Sequence, residues 1–319
     1  MKKNKLTILF LLSVLLFSCS KEASENRPTL TVDYVTDIGR FKDLTINTDN
    51  NVYAFSVFNN SGTEKIELQQ ISPNGTNNKV FSTDAYSFNY PKITNDNFGK
   101  LYWISGSLAA KINSFSDNFT PVTIYTMQGA DQLNIGLYEF SNLTDDTYAI
   151  YDGNVRKFKL YSKNQNTDFV IAGSENYSIL DGIGANAAFV WVSKIKTFNN
   201  AIYAVESNHY IRKIDCNTMD YTVSTIYNLY NEEILDFAID ANEDIYTIVQ
   251  NKGIYKLTNG SYSIYKNGIE TIKALNNNKS STINWTKFTN IYIKNNDLYL
   301  VSGDYEKTLT KISNFKEKL

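Results

Sequence analysis

The apolar and polar positions of this chain repeat over a long period. An apolar or small residue followed by tyrosine recurs at Val52-Tyr53, Leu101-Tyr102, Thr147-Tyr148, Ile202-Tyr203, Ile245-Tyr246 and Leu298-Tyr299, at intervals of 43 to 55 residues. Each pair follows an Asn/Asp-rich stretch: TDNN, NDNFGK, LTDD, FNNA, ANED and KNND. Asn, Asp and Gly tolerate positive φ, so these stretches read as hairpin connections. After each tyrosine comes a second strand with a basic residue followed by an apolar one: Lys65-Ile66, Lys111-Ile112, Lys157-Phe158, Lys213-Ile214, Lys256-Leu257 and Lys311-Ile312. Period two sends one member of each pair inward and the other outward. Further turn signals, among them Pro73-Asn74-Gly75, Ser116-Asp117-Asn118 and Asn259-Gly260, lead into short runs such as Val122 to Tyr125 and Tyr262 to Tyr265.

Each unit therefore reads as four antiparallel strands, uninterrupted by any amphipathic helix. Four short strands in a repeat of about 49 residues, six times over, predict an all-β chain folded as a six-bladed β-propeller, because one such sheet cannot bury both faces alone. The expected blades span 37–84, 85–128, 133–173, 187–228, 232–267 and 286–319. The last lacks a fourth strand, and the spare strand Thr29 to Val35, within 29–36, is expected to complete it and protect its open edge.

Composition narrows the chemistry. With one histidine and two cysteines in 319 residues, catalysis by clustered histidines is nearly excluded. The 31 basic and 33 acidic side chains nearly balance, which leaves no basic footprint for nucleic acid. Cys216 has no second cysteine in the body of the chain, so it is expected as a buried thiol rather than a disulfide partner.

The first residues read as an address. Lys2, Lys3 and Lys5 precede an apolar run from Leu6 to Phe17, which is a secretory h-region too short to span a bilayer. Leu16-Phe17-Ser18-Cys19 resembles the bacterial lipobox, so residues 1–18 are expected as a lipoprotein signal peptide and Cys19 as the lipidated anchor in outer-membrane lipid. Residues 19–28 are polar, without apolar periodicity, and read as a flexible tether to a domain spanning 29–319. A lysine followed by acidic residues after Cys19 resembles the surface-export signal of Bacteroidetes lipoproteins, which implies an outer-membrane lipoprotein facing outward. The leader carries three lysines and no acid, so its removal leaves a mildly acidic chain.

One stretch resembles a known repeat. Asp181-Gly182 and Gly184, followed by Ala187-Ala188-Phe189, match the opening of an NHL repeat. Ile202 to Glu206 matches its second strand, and Asn208-His209-Tyr210-Ile211-Arg212-Lys213-Ile214-Asp215 matches its third. The other units match in outline only. The resemblance implies a six-bladed propeller, in agreement with the independent count, and leaves function open, since such propellers serve as scaffolds, receptors and occasionally enzymes.

Candidate sites follow from position. His209 is expected to bond locally at the turn between second and third strands; the zinc lyases of this superfamily use several histidines that this chain lacks. Gluconolactonase-like propellers hold calcium in the channel, and Asp43, Glu139, Asp236, Asp240 and Glu206 could supply its oxygen ligands. Twelve positions before the signature tyrosine stand Phe41, Tyr90, Trp191 and Lys287, expected around the channel mouth; fourteen before stand Phe88, Phe189 and Trp285, expected between blades. Phe41, Tyr90, Trp191 and Lys287, flanked by Glu206, Asn208, Asp152, Gln250, Asp304 and Tyr305, would suit stacking on a glycan or anchoring a protein partner, or would merely plug the mouth. The favoured expectation is a monomeric, non-enzymatic binding scaffold without cofactor. A calcium-dependent lactonase-like hydrolase or lyase and a periplasmic assembly scaffold are the alternatives.

Overall fold

The computed structural model describes residues 29–60, 63–84, 91–105, 110–127, 138–258, 260–303 and 307–319. Cys19 and its leader, Phe88, Tyr90, Asp304 and Tyr305 lie outside these residues. The chain opens with β1 (Leu30–Val32), β2 (Tyr34–Ile46), β3 (Val52–Asn60), β4 (Thr63–Ile71) and β5 (Asn77–Asp84). Antiparallel meanders follow: β6 (Lys92–Asn95), β7 (Leu101–Ser105), β8 (Lys111–Phe115) and β9 (Pro121–Thr126); then β10 (Tyr138–Asn142), β11 (Thr147–Asp152), β12 (Lys157–Ser162) and β13 (Thr167–Ala172). The short β14 (Gly182–Ile183) pairs with the outer edge of the next meander, β15 (Val192–Phe198), β16 (Ala201–Glu206), β17 (Tyr210–Asp215) and β18 (Thr222–Asn228). After β19 (Ile234–Ile239), β20 (Ile245–Val249), β21 (Gly253–Thr258) and β22 (Ser261–Lys266), a hairpin of β23 (Ile269–Ala274) and β24 (Ser280–Asn284) precedes β25 (Phe288–Lys294), β26 (Asp297–Ser302) and β27 (Lys307–Ile312). A single helical turn, α1 (Phe315–Lys318), ends the chain.

The six signature tyrosines are buried on second strands, and the apolar residues after the third-strand lysines, Ile66, Ile112, Phe158, Ile214, Leu257 and Ile312, are buried too. Lys213, Lys256 and Lys311 stand directly opposite Tyr203, Tyr246 and Tyr299, with each ammonium 5.4–5.6 Å from the facing ring centroid. In these sheets the cationic head is thus placed over the aromatic face. Asn199-Asn200 and Asn295-Asn296 close two-residue hairpins with positive φ at both positions. Asn47, Asp96 and Asp240 instead cap longer turns, each side-chain oxygen accepting backbone N–H groups two and four residues ahead.

The core lies between sheets. One cluster joins Phe55, Leu68 and Trp103 across β3, β4 and β7; another joins Tyr151, Phe158, Phe189 and Ile202 across consecutive meanders. Strands β16 and β20 are buried along their whole length because both faces are covered, whereas β22 is exposed along most of its length. Phe189 and Trp285 are fully buried, as expected for positions between blades.

The strand expected over 29–36 divides in two: 30–32 depart from the expectation and 34–36 follow it. Leu30 to Val32 do not join the last meander; they pair in parallel with Ile272 to Ala274 of β23, a hairpin absent from the sequence reading. The following residues, Tyr34 to Gly39, pair antiparallel with β27. Strand β2 then shifts register at Gly39 and again near Phe41 and runs on from Arg40 to Ile46 as the partner of β3, so one strand ends the last sheet and begins the first. The alternation places Leu30, Val32 and Tyr34 inside, and Asp33 turns the path before Tyr34, its Oδ2 accepting from Ser313 N at 2.5 Å.

Cys216 is half-buried just after β17 with its thiol pushed up to about 12 by burial and by Asp215. A thiol so far above neutral pH is a poor nucleophile. In a Cys19→Ser chain, a chromogenic disulfide reagent at pH 8 should therefore release no signal from folded protein and one equivalent after denaturation; rapid reaction of the folded chain would contradict the burial.

Candidate functional site

The first strands of the successive sheets line one channel. Asp43, Thr45, Thr94, Glu139, Ser141, Lys194, Lys196, Asp236 and Tyr292, from β2, β6, β10, β15, β19 and β25, surround a cavity of about 210 Å³. Alternation along each strand sends polar residues toward this axis and apolar ones into the cores between sheets.

Polar contacts run from strand to strand around the axis. Asp43 accepts from Ile93 N at 2.9 Å, Lys92 Nζ pairs with Glu139 at 2.5 Å, and Asn142 N donates to Thr94 Oγ1 at 3.1 Å. Ser141 and Thr197 share a hydroxyl contact of 3.0 Å. Lys196 Nζ lies 3.3 Å from Asp236, donates to Ile291 O at 2.5 Å and sits 4.1 Å from the Tyr292 ring centroid. Asp236 also accepts from Ile291 N at 3.0 Å and Phe237 N at 2.8 Å, and Tyr292 Oη closes the circuit by donating to Asp43 at 3.2 Å.

Burial decides the electrostatics. It pulls the Lys196 ammonium below the ordinary lysine value, although Asp236 opposes it. Burial also works against Lys92, but Glu139 and Asp43 outweigh it and hold its pKa above the usual value. Tyr292 is pushed far up by burial and by Asp43 and Asp236, so it stays a neutral donor.

This arrangement corrects the expected calcium set. Asp43, Glu139 and Asp236 do reach the channel, but lysines, a tyrosine and backbone N–H groups occupy their oxygens. Asp240 belongs to the turn between β19 and β20, paired with Lys316 at 2.6 Å. Glu206 is fully buried within its own sheet, bound to Arg212 and accepting from Val190 N at 2.6 Å. Among the described residues no group of three or more His, Cys, Asp or Glu side chains is placed to hold a metal ion.

The second candidate is the upper face, where the first strands begin. Trp191 is 44% exposed, immediately before β15, and its carbonyl accepts from Ser207 N at 2.8 Å. Asn208 and His209, in the same turn, accept through their carbonyls from Ile234 N at 2.7 Å and Leu229 N at 2.8 Å. His209 Nδ1 lies 2.7 Å from Glu232 O, in the loop between β18 and β19, rather than bonding within its own turn as expected. Tyr230, 72% exposed, stands in the loop so held, its ring centroid 6.2 Å from that of His209. Two exposed aromatics are thus fixed to one hairpin turn.

The expected ring of side chains is not assembled from the described positions. Phe41 is half-buried against the core of β2 and β3, Glu206 is interior, and Asp152 is buried and paired with Lys159 at 3.0 Å. Lys287 is exposed and Asn208 half-buried, its amide 3.4 Å from Glu233. Sequence reasoning missed Tyr230, whose only signal is a tyrosine inside the polar loop LYNEE. It also missed the channel lysines, although Lys194 and Lys196, two apart in one short strand, mark a polar stripe.

No family model matches the chain, and no curated protein matches it in sequence. Solved structures do. A structural genomics protein of unknown function from Bacteroides thetaiotaomicron is similar over 88% of this chain and 72% of its own, with 12% identity and a TM-score of 0.57. The WD40 β-propeller domain of Doa1 is similar over 90% of this chain and 98% of its own, with 11% identity and a TM-score of 0.51. Together with the meanders packed face to face around a shared channel, these likenesses define the class: the chain is a β-propeller.

Proposed function

We propose that this propeller has six NHL-like blades, that Cys19 anchors it by lipid to the outer membrane, and that it binds a protein or glycan through its upper face. Six signature tyrosines on six second strands support the blade number. The shared strand β2 supports closure of the ring.

The observation that carries the binding reading is the pair Trp191 and Tyr230, both exposed and both held by the backbone of the 207–209 turn. Exposed aromatics fixed in advance lose little entropy on docking and supply the contact area typical of binding hot spots. The channel below them, its acids held by lysines, Tyr292 and backbone N–H groups, acts as a rigid hub.

The test is an array of glycans and surface proteins probed with the full chain carrying Cys19→Ser. Combining Trp191→Ala with Tyr230→Ala should weaken any dose-dependent partner so found by about thirtyfold or more, as loss of a hot spot does, while the melting temperature stays unchanged. Undiminished binding by the double variant would remove this face from the function.

A further inference from the structure

We propose that the lower face beside β1, the face opposite Trp191, rests on the anionic surface of the membrane that holds the lipid anchor. The inference rests on Cys19 being lipidated. Nine residues, Ser20 to Pro28, separate that cysteine from Thr29, so the tether reaches at most about 30 Å. Whatever surrounds Leu30 to Asp33 is therefore kept near the bilayer.

Several elements converge there. Thr31 pairs with Lys273 of β23; Leu275 N donates to Val32 O at 3.0 Å, and Asn276 N to Asp33 O at 3.1 Å. Lys318 Nζ, from α1, reaches Thr31 O at 3.5 Å. Phe315 of α1 is buried, its N–H bonded to Asn296 O in the turn between β25 and β26, which places this cluster on the lower face.

Its outward chemistry suits a lipid surface. Lys273, Lys279, Lys316 and Lys318 are exposed, and Leu275, 59% exposed, stands among them. The acids nearby are Glu317, exposed, Asp33, engaged by Ser313 N, Asp240, paired with Lys316, Asp244, paired with Lys256 at 2.7 Å, and Asp297, paired with Lys311 at 3.0 Å. With those ion pairs cancelled, Lys273, Lys279 and Lys318 outnumber Glu317 and Asp33, on a chain whose net charge is negative. Lysines beside an apolar side chain and a lipid root attract anionic headgroups. Seating this face turns Trp191 and Tyr230 away from the bilayer, toward a partner.

The experiment uses the lipidated full chain on vesicles of phosphatidylethanolamine with phosphatidylglycerol, labelled at Asn277→Cys or, as a control on the opposite face, at Asn208→Cys. Brominated lipids should quench the label at 277 and leave the one at 208 bright. Replacing Lys273, Lys279 and Lys318 by glutamine should weaken seating about fivefold per lysine without detaching the protein, and vesicles lacking phosphatidylglycerol should do the same. Equal quenching at both positions in floating, folded protein would overturn the orientation alone. A chain that fails to float with vesicles after a salt wash would overturn the anchor and this inference with it.

Discussion

Asp236→Ala is expected to destabilise the protein by about 3–5 kcal/mol, the range for removing one member of a buried ion pair. The carboxylate is fully buried and serves four groups together: the Lys196 ammonium at 3.3 Å, Ile291 N at 3.0 Å, Phe237 N at 2.8 Å and the Asn290 amide at 3.4 Å. Its removal leaves the Lys196 cation without its counter-charge, and two backbone donors and the Asn290 amide without this acceptor, in the channel wall. Because Asp236 joins β19 to β25, the loss falls on the junction between two sheets rather than within one. Denaturant titration of the single variants and of Asp236→Ala combined with Lys196→Met checks the argument. The double variant should recover part of the loss, since the orphaned charge is gone, while the backbone donors keep the remainder. A cost below about 1 kcal/mol for Asp236→Ala would show that the polar circuit does not hold the channel together.

Gly39→Ala should cost about 2–5 kcal/mol, combining the penalty of a left-handed backbone for an L-residue with overpacking. Gly39 has φ +65° where β2 leaves β27 for β3, and a Cβ there would stand 2.4 Å from the Phe58 ring. The relief test is Phe58→Leu. Added to Gly39→Ala, it should restore the packing part of the loss but not the backbone part. Thermal melting is the readout, and it should also become less cooperative if the strand lets go of β27. Residues 34–39 pair with β27, so of the strand 29–36 expected from sequence only 34–36 complete the last meander.

Much of the fold was legible because its determinants are local and repeated. The six tyrosines, the apolar residues after the third-strand lysines, and the Asn-Asn turns each depend on periodicity or on the φ preference of one residue type. Phe189 and Trp285 were placed between sheets by counting alone. Trp191 is exposed immediately before β15, but Glu206 was misplaced beside it: a carboxylate immediately before the 207–209 turn looks solvent-facing until Arg212 is known to cover it.

The hairpin of β23 and β24 was missed because its strands carry no signature tyrosine and expose most of their side chains. Strand β1 was assigned to the wrong neighbour for a related reason. Three alternating residues specify which face is buried, but not which of two available edges they join.

By itself, the amino-acid order determined that this chain is all-β, that it is built from recurring meanders, and where the turns fall, because alternation and turn chemistry act over a few neighbouring bonds. Only the tertiary structure decided that β2 belongs to two sheets, that channel acids meet channel lysines, and that the loops of Trp191 and Tyr230 are held by one turn. Those outcomes join residues as much as 250 positions apart, as Tyr292 and Asp43 are joined across 249, and pairing at such separation is set by which surfaces pack together rather than by any pattern along the chain.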